Sequence, residues 1–203
     1  MSDYIFLFDL DSTITKVEIL PVIAKRLPDK KMWDEMKDIT ERTMRGELPF
    51  EESFRRRIGL LSDIPVSMIR ELIADIPLNE RLADFIRENS GRCYMVTGNL
   101  DVWIEGLVPK LGLEGRCFCS RTTVKNDRII SVDEVMNKGE VIKKMQRPFV
   151  AVGDGDNDAE MIGAADVGIG FGGVREIAAS VLGSATHAAY SEEVLCQFLR
   201  QLL

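Results

Sequence analysis

The sequence predicts an α/β fold: a parallel sheet between two layers of helices, with a helical bundle inserted after the first strand. Three observations carry this. Tyr4-Ile5-Phe6-Leu7-Phe8 and Phe149-Val150-Ala151-Val152 are apolar runs with no polar break, the pattern of strands buried on both faces. Both runs end in acids, Asp9-Leu10-Asp11 and Gly153-Asp154-Gly155-Asp156-Asn157-Asp158, so charge gathers at the carboxyl ends of two strands, where open α/β sheets bind ligands. Between Ile14 and Ile76 the strand-helix alternation gives way to helices alone. The expected division is a core of residues 1–14 and 78–203 with a helical cap over 15–77.

In chain order, apolar residues recur at helical spacing in four groups. They are Leu20/Ile23/Ala24/Leu27, Met32/Met36/Ile39/Thr43, Phe50/Phe54/Ile58/Leu61 and Ile69/Leu72/Ile73. Gly46, Pro49, Pro65 and Pro77 punctuate them. Trp33 and the methionines of these helices are expected in the core. A helix bearing Leu82, Phe85 and Ile86 stops at Asn89-Ser90-Gly91. The strand Cys93–Val96 follows and ends in Thr97-Gly98-Asn99. Ile104, Leu107, Val108 and Leu111 predict one helix ending at Gly112. Cys117–Cys119 reads as a short strand, and 122–131, with Asn126-Asp127 between β-rich flanks, as a hairpin. A helix begins near Lys138, and another after Asp158 carries Met161 and Ile162. Val167–Gly170 reads as an edge strand with a glycine turn after it, not as a dinucleotide loop. Ile177/Ala178/Val181 and Leu195/Phe198/Leu199/Leu202 predict the last two helices.

Composition narrows the function. The chain has 203 residues, 45% hydrophobic, which suits one domain with an insertion. A net charge of -7 with no basic run argues against nucleic acid. No apolar stretch reaches the ~18 residues of a membrane span. The chain enters a strand almost at once, which predicts no signal peptide; a cytoplasmic protein is expected, with no obligate protein partner evident. Cys93, Cys117, Cys119 and Cys196 form no C-x-x-C pair and are expected as reduced thiols. His187 is alone and far from the acids, so neither a His-based triad nor a zinc site is supported. Asp154, Asp156 and Asp158 imitate the start of a calcium-binding EF-hand loop. Ala159 and Ala165 stand where such a loop needs Gly and Glu, and that reading fails.

The polar groups at three strand ends suit phosphoryl transfer. Asp9 and Asp154 repel unless a hard cation such as magnesium lies between them. A carboxylate attacking a phosphate needs the phosphoryl charge neutralised, a task for that cation and Lys138. Thr97 and the Gly98 N–H are natural donors to phosphate oxygens, with the start of a helix at Asp101 beside them.

Asp9-x-Asp11-x-Thr13, Thr97-Gly98, Lys138 and Gly153-Asp154-Gly155-x-Asn157-Asp158 resemble, in order, the four motifs of the haloacid-dehalogenase-like phosphatases. Residues 39–53 resemble the cap segment of the phosphoserine phosphatase branch. Asn99 and Asp156 depart from that branch, which has Gly and a small residue there. The resemblance implies a Rossmann-like core and a magnesium-dependent phosphomonoesterase working through an aspartyl phosphate. Asp9 would be the nucleophile and Asp11 the acid and base. Asp9, Asp11 and Asp154 would bind the metal, with Asp158 steadying its water shell or Lys138. Asn157 would contact phosphate. Glu18 would bind a substrate ammonium, Arg57 its carboxylate, and Met44 and Phe50 would close over it. The plain alternative for Glu18 and Arg57 is an ordinary ion pair. Two further readings stay open: turnover of, or transfer from, another small phosphorylated metabolite, and a non-catalytic regulator that binds one.

Overall fold

The structure, a computed structural model, describes residues 3–27, 29–44, 47–145 and 148–203, without the Met44 side chain. Seven strands form one sheet in the order β4-β3-β2-β1-β5-β6-β7: β1 (Ile5–Phe8), β2 (Cys93–Leu100), β3 (Cys117–Lys125), β4 (Arg128–Glu134), β5 (Phe149–Gly153), β6 (Val167–Phe171) and β7 (His187–Ala189). All neighbours are parallel except β3 and β4, the predicted hairpin. The chain builds β2 and β3 on one side of β1 and then crosses to build β5, β6 and β7 on the other. The order therefore reverses at β1, and the crevice for a ligand lies there.

The helices are α1 (Ile19–Ala24), α2 (Lys30–Met44), α3 (Phe50–Leu61), α4 (Val66–Ala74), α5 (Glu80–Glu88), α6 (Asp101–Ile104), α7 (Leu107–Lys110), α8 (Lys138–Ile142), α9 (Ala159–Ala164), α10 (Ala179–Ser184) and α11 (Glu192–Gln201). Alternation along β1 produces the layers, because successive side chains leave a strand on opposite faces. Phe6 and Phe8 pack with Leu82 and Phe85 of α5 and with α11 on one face. Leu7 packs with Val96, Met161 and Ile162 on the other. The helices between Ile19 and Ala74 send Ile23, Met36, Phe54, Ile58 and Ile69 into the same apolar cluster as Phe6. An isolated antiparallel bridge, Thr15 with Leu78, closes the neck of this segment, with the Lys16 N–H donating to Pro77 O and the Asn79 N–H to Ile14 O.

Three expectations change. The run over Ile104–Leu111 breaks into α6 and α7, and Gly112 ends it with φ +67°. The strand at Val167 is internal, because β7, which the sequence hides in three residues, pairs beyond it. Trp33 is 37% exposed and Met68 47% exposed rather than in the core, while Met36 is buried.

Candidate active site

The carboxyl ends of β1, β2 and β5 meet over one cavity of about 130 Å3. Around it stand Asp9, Asp11, Glu18, Gly98, Asn99, Asp154, Asn157 and Asp158, with Phe50 and Arg57 from α3. Asp9 follows β1 directly, and its N–H donates to Val152 O of β5 at 2.9 Å. The turn over Leu10–Ile14 then reverses the chain. Ser12 adopts φ +55°, a left-handed conformation that costs a non-glycine residue free energy and is found where structure around it compensates. Here its Oγ donates to Glu18 Oε1 at 2.7 Å, holding Glu18 over the cavity.

Lys138 opens α8 and is buried. Its ammonium donates to Asp9 Oδ1 and to Asp158 Oδ1. Burial pulls its pKa down, but the two carboxylates outweigh this and hold it above its ordinary value, so it stays charged. Asp158 Oδ2 accepts the N–H groups of Asp154 and Gly155 at 3.0 and 2.9 Å. Asp158 thereby ties the loop after β5 to Lys138. Gly153 is needed here, since a Cβ on it would lie 2.5 Å from the Asp158 carboxyl carbon.

Crowding raises the acids. Burial and the charge of Asp158 push Asp9 well up, against the pull of Lys138. Burial raises Asp154 to about 6, opposed by Arg175. Burial, then the charge of Glu18, raises Asp11 to about 7. The Ile19 N–H, 2.7 Å from Asp11 Oδ1, and the Asn99 amide on Oδ2 restrain that rise. Asp9, Asp154 and Asp158 bring one oxygen each to within 4.8 Å of one another. Three buried carboxylates offer only hard oxygen donors, a set that fits a divalent metal ion of the magnesium or calcium kind.

Other expected residues stand nearby in different settings. Phe50 lies over Gly98, where a Cβ would be 3.6 Å from its ring, and stacks on Phe54. Lys138, Gly98, Phe50 and Asn157 also border a second opening with Glu160. Thr97 is fully buried, and its Oγ1 accepts from the Asn99 N–H and side-chain amide, so it braces Asn99. The helix at Asp101 has four residues and carries a carboxylate at its own start, so it adds little positive potential. The Met44 side chain lies outside the described residues.

Two residues were not anticipated in their roles. Asn99 orients Asp11, and Arg175 enters from the loop after β6. The Arg175 Nε donates to Asp154 Oδ2, and its NH1 lies 3.3 Å from Glu18 Oε1. The ion pair that Glu18 makes among the described residues is therefore with Arg175 and not with Arg57. Burial lowers the Arg57 pKa, partly offset by Glu18 and Asp11. A lone Arg after Gly172-Gly173 at the carboxyl end of a strand was the available signal, and reading β6 as an edge strand obscured it.

The profile of the haloacid dehalogenase-like hydrolases matches residues 6–162. A phosphoserine phosphatase of Methanocaldococcus jannaschii is 34% identical over 182 residues, covering 82% of this chain and 84% of the relative. One of Archaeoglobus fulgidus is 30% identical over 182 residues, and there the chain spans about half, 52%, of the relative's length. A solved phospho-aspartyl intermediate analogue of phosphoserine phosphatase superposes with a TM-score of 0.78 at 28% identity, covering 100% of both chains. A substrate-bound phosphoserine phosphatase complex does so with a TM-score of 0.79 at 27% identity, also over 100% of both.

Proposed function

Since the chain belongs to the haloacid dehalogenase-like hydrolases, we propose that it is a magnesium-dependent phosphomonoesterase that hydrolyses O-phosphoserine. One observation carries the chemistry: Asp9 is ion-paired with buried Lys138 beside Asp154 and Asp158, while Asp11, two residues on, has a carboxyl pushed to about 7. A nucleophile and a group that both gives and takes a proton near neutrality thus share one cavity.

An Asp9 oxygen attacks phosphorus, the bond to the serine oxygen breaks, and Asp11 gives its proton to the leaving alkoxide. Water then attacks phosphorus, Asp11 takes its proton back, and the Asp9–phosphorus bond breaks to release phosphate. Lys138 neutralises charge on the phosphoryl oxygens, and Gly98 and Asn157 border the space they occupy. Asp9, Asp154 and the Asp11 backbone carbonyl would hold magnesium, and Asp158 braces that set through Lys138 and the loop N–H groups. Bound there, the ion supplies positive charge to the phosphoryl oxygens. The balance of charges supports a cation here: Asp9, Asp11, Asp154, Asp158 and Glu18 outnumber Lys138, Arg57 and Arg175. Glu18 and Arg57 would receive the serine ammonium and carboxylate, with Phe50 closing over them.

The test is phosphate release from a panel of phosphorylated metabolites with magnesium, where O-phosphoserine should rank first. Asp9→Asn should remove turnover while leaving circular dichroism and thermal unfolding native-like, because an amide neither attacks phosphorus nor carries the anion a metal needs. Turnover by that variant, free of wild-type carry-over, sinks the covalent route. A different best substrate removes only the phosphoserine assignment.

A further inference from the structure

Arg175 has no part in the chemistry just described, yet it lines the cavity. Its side chain is 48% exposed and bridges Asp154, on the phosphate side, to Glu18 at the root of the helical segment. Gly155 leaves it room, since a Cβ there would lie 2.8 Å from the Arg175 NH2. That NH2 makes no hydrogen bond to a described residue. Glu18, Arg57 and Arg175 also border a second cavity of about 330 Å3, whose other walls include Leu20, Pro21, Ala24, Trp33 and Met36. The three charged groups stand together where the two cavities adjoin.

We propose that Arg175 is a specificity-determining residue for the anionic tail of the substrate, turning from Glu18 to share the substrate's carboxylate with Arg57. This rests on the phosphomonoesterase reading above. The two guanidiniums of Arg57 and Arg175 border the same end of the cavity, and Arg175 divides its hydrogen-bonding nitrogens between Asp154 and Glu18, so its terminal nitrogens are the ones an arriving anion can recruit. The contact to Glu18 is long and half-exposed, hence weak and readily exchanged. An ammonium arriving at Glu18 would meet Arg175 as a like charge, and takes its place there. The freed guanidinium then finds a carboxylate on the carbon that bears the ammonium. Its Nε stays anchored on Asp154, so only the terminal nitrogens need move. A substrate with ammonium but no carboxylate displaces Arg175 and offers it nothing in return.

The experiment compares kcat/KM for O-phosphoserine, O-phosphoethanolamine and 2-phosphoglycolate in the wild type, Arg175→Gln and Arg175→Lys. In Arg175→Gln, the ratio of phosphoserine to phosphoethanolamine should fall at least about tenfold, the size of one charged hydrogen bond, and that of phosphoglycolate, which brings no ammonium to displace Arg175 from Glu18, should fall by less. The fall should appear chiefly in KM, and Arg175→Lys should restore part of it. Equal losses on all three substrates would mean that Arg175 only braces Asp154, and would overturn the proposal. So would a rise in phosphoserine turnover, which would make Arg175 a mere competitor for Glu18. If the wild type ignores phosphoserine, the substrate assignment fails, but phosphoglycolate against an aryl phosphate still reads Arg175. Wild-type indifference to the carboxylate in that pair also overturns it.

Discussion

Glu18 accepts from Ser12, faces Arg175, and is the nearby charge that contributes most to raising Asp11. Arg57 hangs from α3, its Nε 3.4 Å from Ser53 O and its pKa lowered by burial. A guanidinium stripped of water in this way favours a planar anion that it can grip with two nitrogens. Arg57→Lys and Glu18→Gln should therefore each lower kcat/KM for O-phosphoserine more than for an aryl phosphate. The expected difference is about 1.5–3 kcal/mol, the worth of a charged hydrogen bond. Steady-state assays on both substrates check this, and equal losses on the two would assign these residues to architecture alone.

At the scale of elements, the β3–β4 hairpin does more than close the sheet. Asn126 and Asp127 adopt φ of +51° and +61°, the paired left-handed conformation of a tight two-residue hairpin turn. That turn delivers Asp127 to the start of α4, sixty residues earlier. Its carboxylate accepts from the Ser67 N–H at 2.9 Å and the Ser67 hydroxyl at 2.6 Å, and its carbonyl accepts from the Val66 N–H at 3.0 Å. A residue distant in sequence thus supplies the cap that Pro65, which has no side-chain acceptor, does not. The hydroxyl of Ser67 holds the Asp127 carboxyl below its ordinary value, so the folded state favours the ionised form. The stabilisation is then present above the ordinary carboxylate pKa of ~3.9 and is lost as pH falls through the depressed value. Asp127→Gly keeps the turn conformation and removes the cap. Its Tm should lie below wild type at neutral pH, with the gap closing as pH falls through the depressed value. A gap independent of pH would locate the effect in the turn and not in the carboxylate.

Across the whole molecule, stability and site placement come from the same strand. Phe6 and Phe8 of β1 meet the Phe85 ring edge-on at 5.4 and 6.3 Å, and Asp9 follows at once. The rigidity that aims Asp9 is the packing of the residues before it. Phe85→Ala would leave a cavity beneath β1 and should cost about 3–5 kcal/mol in a denaturant titration. That is a large part of the roughly 5–15 kcal/mol that separates folded from unfolded domains. A cost below ~1 kcal/mol would show that α11 and α5 close the gap.

The α/β class was legible because β1 and β5 are buried on both faces, and burial of that kind leaves an unbroken apolar run with charge only where it ends. The helices between Ile19 and Ala74 were legible for the related reason that each hides one face, so period 3.6 survives in the sequence. What was not legible depends on partners distant in the chain. β7 is three residues long and exists because β6 offers it an edge. The link from Thr97 through Asn99 to Asp11 joins the end of β2 to the turn after β1, across 88 residues of sequence. Trp33 stayed partly exposed, one turn from buried Met36, because it borders the cavity of about 330 Å3 instead of packed core. The sequence alone determined which residue types stand at the strand ends, and so the chemistry they suit. The crossing of the chain at β1 alone decided that Arg175, from the far side of the sheet, meets Glu18 from the near side. That meeting is a long-range contact with no periodicity and no local propensity to announce it.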